Sequence, residues 1–358
     1  MIGKPKVYIL VLNYNGWKDT IECVESLFKL DYSNVHIVII DNASSDSSLA
    51  HIKDWAAGKH IISTNNPYYK KYTEPFINKP FPYHFVSVEN PGTVDTNQIK
   101  LSIIESKTNN GYAAGNNIGI TYALAQGDAS YIWVLNNDTI VPPHALSYQI
   151  EQFESEHKKG YKTGVIGSKL LLYHQPTHIQ HMGVKYQPAF AYAKIVGQNQ
   201  EDQGIENGTN HDFDQLGGAS LLMSAPFIDD VGLLSEEYFL YMEEADLAVR
   251  AKNKGWKLSY CYQSKIYHKE GASINQNDQQ IKSALSEYYW IRSKVLLTLK
   301  HYTWHIFTVL LACMAAIVFK LIKYKSFKRL PVYLHAIQSA FRQYKGEDTV
   351  KSYHKKYL

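Results

Sequence analysis

Three acidic side chains, Glu243, Glu244 and Asp246, crowd together in the segment YFLYMEEADLAVR. Carboxylates this close raise one another's proton affinity, and a carboxylate with a raised pKa is a better general base toward a hydroxyl. Acidic residues in the first turn of a helix are also favoured by its dipole alone, so the cluster by itself leaves both readings open. A further carboxylate, Asp138, closes Asn136-Asn137-Asp138 directly after the apolar run YIWVL. A hard divalent cation on a diphosphate takes oxygen ligands, usually including one or two carboxylates. Asp138 offers a carboxylate and Asn137 an amide oxygen, although Asn and Asp also suit a plain strand-end turn. His268, in IYHKEGAS, adds a neutral ring nitrogen able to bind a metal. His178 and His181 form an H-x-x-H without the cysteine or carboxylate companions of a zinc site.

These groups need elements to hold them. Val7–Leu12 and Val35–Ile40 are short apolar, β-rich runs, and the spacing of apolar residues over Thr20–Leu30 predicts a helix between them. Ile99–Glu105, Tyr131–Leu135, Gly164–Leu172 and Trp256–Tyr262 read as further strands, with a helix over Ala114–Ala125 and another opened by Pro142-Pro143. Alternating strand and helix signals an α/β fold with a parallel sheet. Ligands of such sheets bind beyond the carboxyl ends of the strands. The polar loops fall there: Asn13-Tyr14-Asn15-Gly16, Asp41-Asn42-Ala43-Ser44, Asn110-Gly111 and Asn136-Asn137-Asp138. The Asp41 carboxylate, an acceptor only, suits the N3–H of a pyrimidine. Residues 42–46 would equally cap a helix. Gly111 allows a tight turn that brings backbone close to a ligand. Together these loops point to a nucleoside diphosphate site.

The chain has 358 residues, 45% of them hydrophobic, enough for a large core. A net charge of +4 is too mild to indicate nucleic acid. Three scattered cysteines without a C-x-x-C pair argue against a zinc cluster and fit a reducing compartment. Residues 63–100, rich in Asn, Pro, Tyr and Lys and poor in periodicity, read as an insertion to which the pattern assigns no internal element. From about Ala284 helical patterns dominate. Thr303–Phe319 lacks any charged residue and is followed by Lys320, Lys323, Lys325, Lys328 and Arg329. That run is marginal in length for a membrane span and suits an interfacial segment beside anionic lipid. A core helix with a basic end is the plainer alternative.

Taken in order, VLNYNG, DNASSDSS, NNGYAAGNNIGI, WVLNNDT, IQHMGV, GGASLLM, EEYFLYMEEADLAVRAKNKGW and YHKEGAS resemble glycosyltransferase family 2, most of all its rhamnosyltransferase-like members. The resemblance covers roughly residues 5–275. It implies a GT-A fold: a mixed, mostly parallel sheet flanked by helices, here with a C-terminal helical segment. It divides the chain into a catalytic domain over 1–275, with a donor half (1–138) and an acceptor half (139–275), and a membrane-associating region over 276–358. The implied donor site takes Asn13, Tyr14, Asn15, Asp41, Asn42, Ser44, Gly111, Asn117, Asn136 and Asn137. Asn137 and Asp138 lie in the family's D-x-D metal motif, here N-N-D, and His268 completes the shell around Mg²⁺ or Mn²⁺. Glu244 falls on the base, where the family pattern has Asp, with Glu243 and Asp246 beside it. Gly218, Ala219, Ser220 and His181 would lie on the acceptor side.

The implied activity is single, inverting transfer of a sugar from a dTDP- or UDP-linked donor to a saccharide or lipid-linked saccharide. Rhamnose is the first expectation, with galactose or another hexose open. The expected location is the cytoplasmic face of the plasma membrane, without nucleic acid and with oligomerisation left open. A non-catalytic nucleotide-binding protein would lack the acidic pair and the metal carboxylate. A processive polysaccharide synthase would show several spans and a Q-x-x-R-W segment, absent from this sequence. A dehydrogenase would carry G-x-G-x-x-G after the first strand, which this chain does not.

Overall fold

Strand β1 (Val7–Asn13) sets the plan of the molecule. Its side chains alternate: Tyr8 and Leu10 enter one core, while Val7, Ile9 and Val11 enter another on the opposite face. A strand buried on both sides needs helices over both, and the chain supplies them. The computed structural model describes residues 3–60, 64, 66–88, 92–96, 98–204, 213–269, 284–324 and 327–347. After β1 come α1 (Trp17–Leu27), β2 (Val35–Asn42) and α2 (Ser48–Ala56). Helix α3 (Pro67–Thr73) and strand β3 (His84–Ser87) follow, then β4 (Leu101–Ser106), α4 (Tyr112–Ala125), β5 (Tyr131–Asn136) and the short β6 (Thr139–Ile140). Next are α5 (Ala145–Lys158), β7 (Thr163–Leu172), β8 (Ile179–His181), and a hairpin of β9 (Gly183–Gln187) with β10 (Tyr192–Val196). The chain continues through β11 (Ser220–Ser224), α6 (Ala225–Val231), α7 (Glu243–Asn253) and β12 (Lys257–His268) to α8 (Ala284–His301), α9 (Ile306–Tyr324) and α10 (Leu330–Tyr344).

The main sheet runs β3-β4-β2-β1-β5-β11-β7-β12-β6, with β8 paired to β7. The first five strands are parallel, β11 is antiparallel to both neighbours, β12 is again parallel to β7, and β6 pairs antiparallel with β12. Helices α1, α2 and α5 cover one face through Ile21, Val24, Trp55 and Phe153, while α4, α6 and α7 cover the other through Ile120, Phe227 and Leu247. Each such side chain contributes about 1.5–3 kcal/mol on burial.

Within residues 63–100, where the sequence pattern assigns no element, the described residues carry α3 and β3. Strand β3 extends the sheet beside β4, from His84↔Ser102 to Ser87↔Glu105. Helix α3 is tied down by the Tyr69 hydroxyl, which donates to the Tyr173 carbonyl at 2.6 Å. The buried Glu25 of α1 accepts from the Trp55 indole at 2.8 Å and the Ile77 N–H at 3.0 Å, and pairs with Lys79. Two elements begin earlier than expected: α1 at Trp17 and α4 at Tyr112. Strand β12 runs on as far as His268 itself. The 275/276 boundary and Glu270–Ser273 of the YHKEGAS segment lie outside the described residues.

A third core joins α8, α9 and α10 to Tyr238, Phe239, Met242 and Ala245. The C-terminal helices therefore pack directly on the loop and helix that carry the acidic pair.

Candidate active site

Strands β1 and β2 end in register, with Asn13 opposite Asp41. The Asn13 amide donates to Asp41 Oδ1 at 2.7 Å and to Ser44 Oγ at 3.0 Å. The Ser44 hydroxyl and backbone N–H donate to the two Asp41 oxygens at 2.7 and 3.1 Å. The Asn15 N–H donates to Ser44 Oγ at 3.0 Å, and Asn15 Oδ1 accepts from the Ser45 N–H at 2.8 Å. Asn15 and Ala43 hold left-handed backbone, with φ of 52° and 58°, a conformation that costs free energy and concentrates at binding sites. Tyr14 stands exposed on this lip. Asn42 donates to Asn109 Oδ1 at 3.0 Å and lies 3.3 Å from the Gly111 carbonyl, joining this loop to the start of α4.

A second group forms where β5 and β12 end. Asp138 Oδ1 lies 3.1 Å from His268 Nε2, and His268 Nδ1 lies 2.8 Å from Gln180 Oε1. Gln180 Oε1 thus accepts the Nδ1–H hydrogen bond and turns Nε2 toward the carboxylate, the outer-shell arrangement typical of a metal-binding histidine. In the neutral ring, Nε2 and Oδ1 face each other as two lone pairs, so a proton or a cation must lie between them. Adjacent ligands of an octahedral cation with bonds near 2.1 Å stand about 3.0 Å apart, which matches the observed pair. Burial would raise the Asp138 carboxyl, but the charge and hydrogen bond of a protonated His268 hold it below the usual range. Among the described residues no cluster of three His, Cys, Asp or Glu side chains closes around an ion.

Tyr112 connects this group to the acidic residues. Its hydroxyl lies 2.9 Å from Asn136 Oδ1 and 3.1 Å from the Gly218 carbonyl, while the Asn136 NH₂ faces His268 Nε2 at 3.4 Å. One phenolic proton cannot serve both acceptors. The two orientations of an amide are nearly identical in shape. Turned over, Asn136 donates to the Tyr112 oxygen, Tyr112 donates to Gly218, and the Asn136 oxygen faces the imidazole. Burial and the nearby charges of Glu243, Glu244 and Asp138 push the Tyr112 phenol far up, so it stays protonated.

Glu243 and Glu244 open α7, reached through left-handed Tyr241 and Met242. Burial and the neighbouring Glu244 push Glu243 well above the ordinary glutamate range, and burial raises Glu244 as well. Glu243 is pushed up further than Glu244, which favours the proton on Glu243 and the charge on Glu244. Gly218 passes beside Glu244, since a Cβ there would stand 3.7 Å from the Glu244 carboxyl carbon.

Several expected site residues are engaged elsewhere. Asn137 does not turn toward His268; its NH₂ donates to Thr20 Oγ1 at 3.0 Å, because successive residues at a strand end point to opposite sides. Asn117 donates to the Leu234 carbonyl and Glu236 at 2.9 Å each and accepts from the Leu234 N–H at 3.1 Å. Asp246 lies about 200° around α7 from Glu244. It is held by His301 and Arg250 at 2.7 Å each, and these partners, overcoming burial, keep its pKa low. Ser220 is fully buried, with its hydroxyl 2.9 Å from the Trp133 indole and 2.8 Å from Ser168. Ala219 is buried and contributes its carbonyl to the Asn136 N–H at 3.0 Å. His181 sits behind Gly217, its Nδ1 buried without a partner among the described residues, and burial lowers its pKa to about 4. Sequence reasoning passed over Tyr112 and Gln180. Both lie inside the quoted NNGYAAGNNIGI and IQHMGV segments, but their contacts span 24 to 106 residues.

This sheet order, with polar loops gathered at the carboxyl ends of β1, β2 and β5 and an acidic helix facing them, is the GT-A fold of nucleotide-diphospho-sugar transferases. Family matching agrees: residues 8–70 match Glycosyl transferase family 2, and residues 95–289 match Glycosyltransferase like family 2. The chain belongs to glycosyltransferase family 2. Among curated proteins it is 24% identical over 181 residues to the low-salt glycan biosynthesis hexosyltransferase Agl10 of Haloferax volcanii, covering 49% of this chain and 56% of that one. The chain thus spans about half the length of that relative. Among solved structures it is similar to S. aureus TarS 1-349, with a TM-score of 0.52, 13% identity, and coverage of 95% of this chain and 80% of the other. It is also similar to the mannosyltransferase PcManGT from Pyrobaculum calidifontis in complex with GDP-Man and Mn²⁺, with a TM-score of 0.51, 12% identity, and coverage of 98% and 85%.

Proposed function

We propose that this protein transfers a single sugar, with inversion, from a nucleoside diphosphate sugar to a hydroxyl of a saccharide or lipid-linked saccharide. The observation that carries this reading is the position of the Tyr112 hydroxyl, which contacts Asn136, whose amide faces His268 of the Asp138–His268 pair, and the carbonyl of Gly218, the residue that passes beside Glu244. The loops holding Asn13, Asn15, Asp41 and Ser44 would take the base and ribose. Asp138 and His268, with the Asn136 oxygen, would hold Mg²⁺ or Mn²⁺; once bound, the cation supplies positive charge against the diphosphate. The Mn²⁺ and GDP-mannose in the PcManGT structure support a cation and a nucleotide sugar here.

Glu244 takes the acceptor proton as the acceptor oxygen bonds to C1 of the sugar and the C1–oxygen bond to the diphosphate breaks. Glu243 retains its own proton and so leaves its neighbour as the acceptor. Rhamnose from dTDP-rhamnose is the first donor to try, ahead of UDP-linked hexoses. The acceptor would be met at the cytoplasmic face of a membrane.

The test is a panel of nucleotide sugars with Mg²⁺, with Mn²⁺ and with chelator, read as released nucleoside diphosphate. Glu244→Gln should lower kcat by about 10²–10⁴-fold while donor affinity by calorimetry stays near that of the wild type. Near-normal turnover in that variant, or turnover indifferent to chelator, would refute the assignment.

A further inference from the structure

Helix α9 is apolar on both sides, and only one side is used. Val309, Cys313, Ile317 and Leu321 form a buried stripe against α8 and α10. On the opposite side Phe307 (71% exposed), Leu311, Met314, Val318 and Ile322 (65%) follow one another at helical spacing, and Trp304 (98%) stands exposed in the turn just before the helix. A second, separate element continues this surface. The tip of the β9–β10 hairpin rests on α9, where the Thr308 hydroxyl donates to the Ala189 carbonyl, and presents exposed Phe190 and Tyr192. A contiguous apolar patch of this kind marks a contact surface.

Charge identifies the partner. From Tyr288 through Gly346 the chain has no Asp or Glu and ten Lys or Arg, which against the +4 of the whole chain leaves −6 elsewhere. Exposed Lys323 and Lys328, beside exposed Phe327, stand at the far end of the stripe. Apolar and aromatic side chains with exposed lysines at their end are the composition of a helix lying in the headgroup region of an anionic membrane.

Length and composition alone would let Thr303–Lys323 cross a bilayer. Packing argues otherwise. The buried stripe runs for about 18 Å of the helix, so a spanning α9 would carry α8 and α10 into the lipid with it. Those helices bring Glu287, which accepts from Lys320 at 3.0 Å, Arg329 at 2.8 Å and Tyr333 at 2.7 Å, together with the buried Arg292.

We propose that the outer face of α9 and the β9–β10 tip form a docking surface that lies flat on an anionic lipid bilayer and does not cross it. This deepens the membrane side of the proposed function. It is tested without donor or acceptor, so its failure is distinguishable from failure of the catalytic reading.

The full chain is floated with vesicles of phosphatidylcholine alone and with added phosphatidylglycerol. Binding should appear with the anionic lipid. The triple variant Trp304→Ser, Phe307→Ser, Leu311→Ser should lower partitioning at least about tenfold, with unchanged circular dichroism. The native cysteines are all buried, so single labels at Phe307→Cys, Met314→Cys and Ile322→Cys can report depth, and all three should be equally shallow. Wild-type binding equal to that of the triple variant would overturn the proposal. So would a Met314→Cys label at the bilayer centre with shallow ends, or a wild-type dimer that the triple variant converts to a monomer without any vesicle binding.

Discussion

Glu243 shows how a site of this kind is made and what it costs. A carboxyl buried beside a second carboxyl is held far from its solution behaviour by desolvation and like charge. Its folded pKa lies above its unfolded value, so between the two the folded state binds more protons and stability falls as pH rises. Glu243→Gln keeps the shape and a hydrogen-bond donor but cannot titrate. The variant should therefore match wild type near about pH 4 and become progressively more stable by comparison toward about pH 8. Thermal unfolding across that range checks it; a stability difference that stays constant with pH would mean that Glu243 is not the proton holder. The sequence showed the acidic cluster but not its division of labour. That depends on which carboxyl is sealed from water, and on Asp246 turning away to meet His301, a partner 55 residues distant.

At the level of elements, the buried central strands were plain in the sequence because β1, β2 and β5 are continuous apolar runs. The polar loops at their ends followed from that. What could not be read was the structure within 63–100. Strand β3 is only four residues, half-buried, and α3 is a seven-residue helix without an amphipathic repeat; both are fixed by tertiary contacts. Equally hidden was the contact between the start of α4 and the loop before α7. Gly111 has φ of +97°, and a Cβ there would stand 2.3 Å from the Phe239 carbonyl oxygen. Tyr112 N–H donates to that same oxygen at 2.8 Å. Gly111→Ala should cost about 2–4 kcal/mol from backbone strain and overpacking together. Because Tyr112 moves with it, kcat should fall as well. Denaturant unfolding and steady-state kinetics on the same preparation check both, and an Ala variant of wild-type stability would show that the two elements are not clamped there.

Over the whole molecule, the C-terminal helices are the support of the acidic pair as well as a candidate membrane contact. The fully buried Arg292 of α8 donates to the Glu237 carbonyl at 2.8 Å, to Gln343 Oε1 of α10 at 2.9 Å and to Ser339 Oγ at 3.2 Å. The Ser293 hydroxyl adds a bond to the Leu240 carbonyl at 2.9 Å, and Tyr241 lies 2.7 Å from Ser286. The segment from Glu237 to Tyr241, which leads into Glu243 and Glu244, is thus held from behind by α8, which begins only at Ala284 and is itself bonded to α10, which begins at Leu330. The donor loops on β1 and β2 draw on none of these bonds. Arg292→Met fills much of the same volume and removes the charge, but leaves the Glu237 carbonyl and the Gln343 amide oxygen without their donor. A fully buried orphaned acceptor costs about 1–3 kcal/mol, and these two are partly buried, so the variant should lose about 1–3 kcal/mol of stability in all. Nucleoside diphosphate affinity should stay close to wild type while kcat drops at temperatures where the variant remains folded. Calorimetric titration beside turnover measurements separates these outcomes. A parallel loss of nucleotide affinity would mean that Arg292 supports the fold as a whole, and an unchanged kcat in a destabilised protein would mean that the acidic pair keeps its place without it.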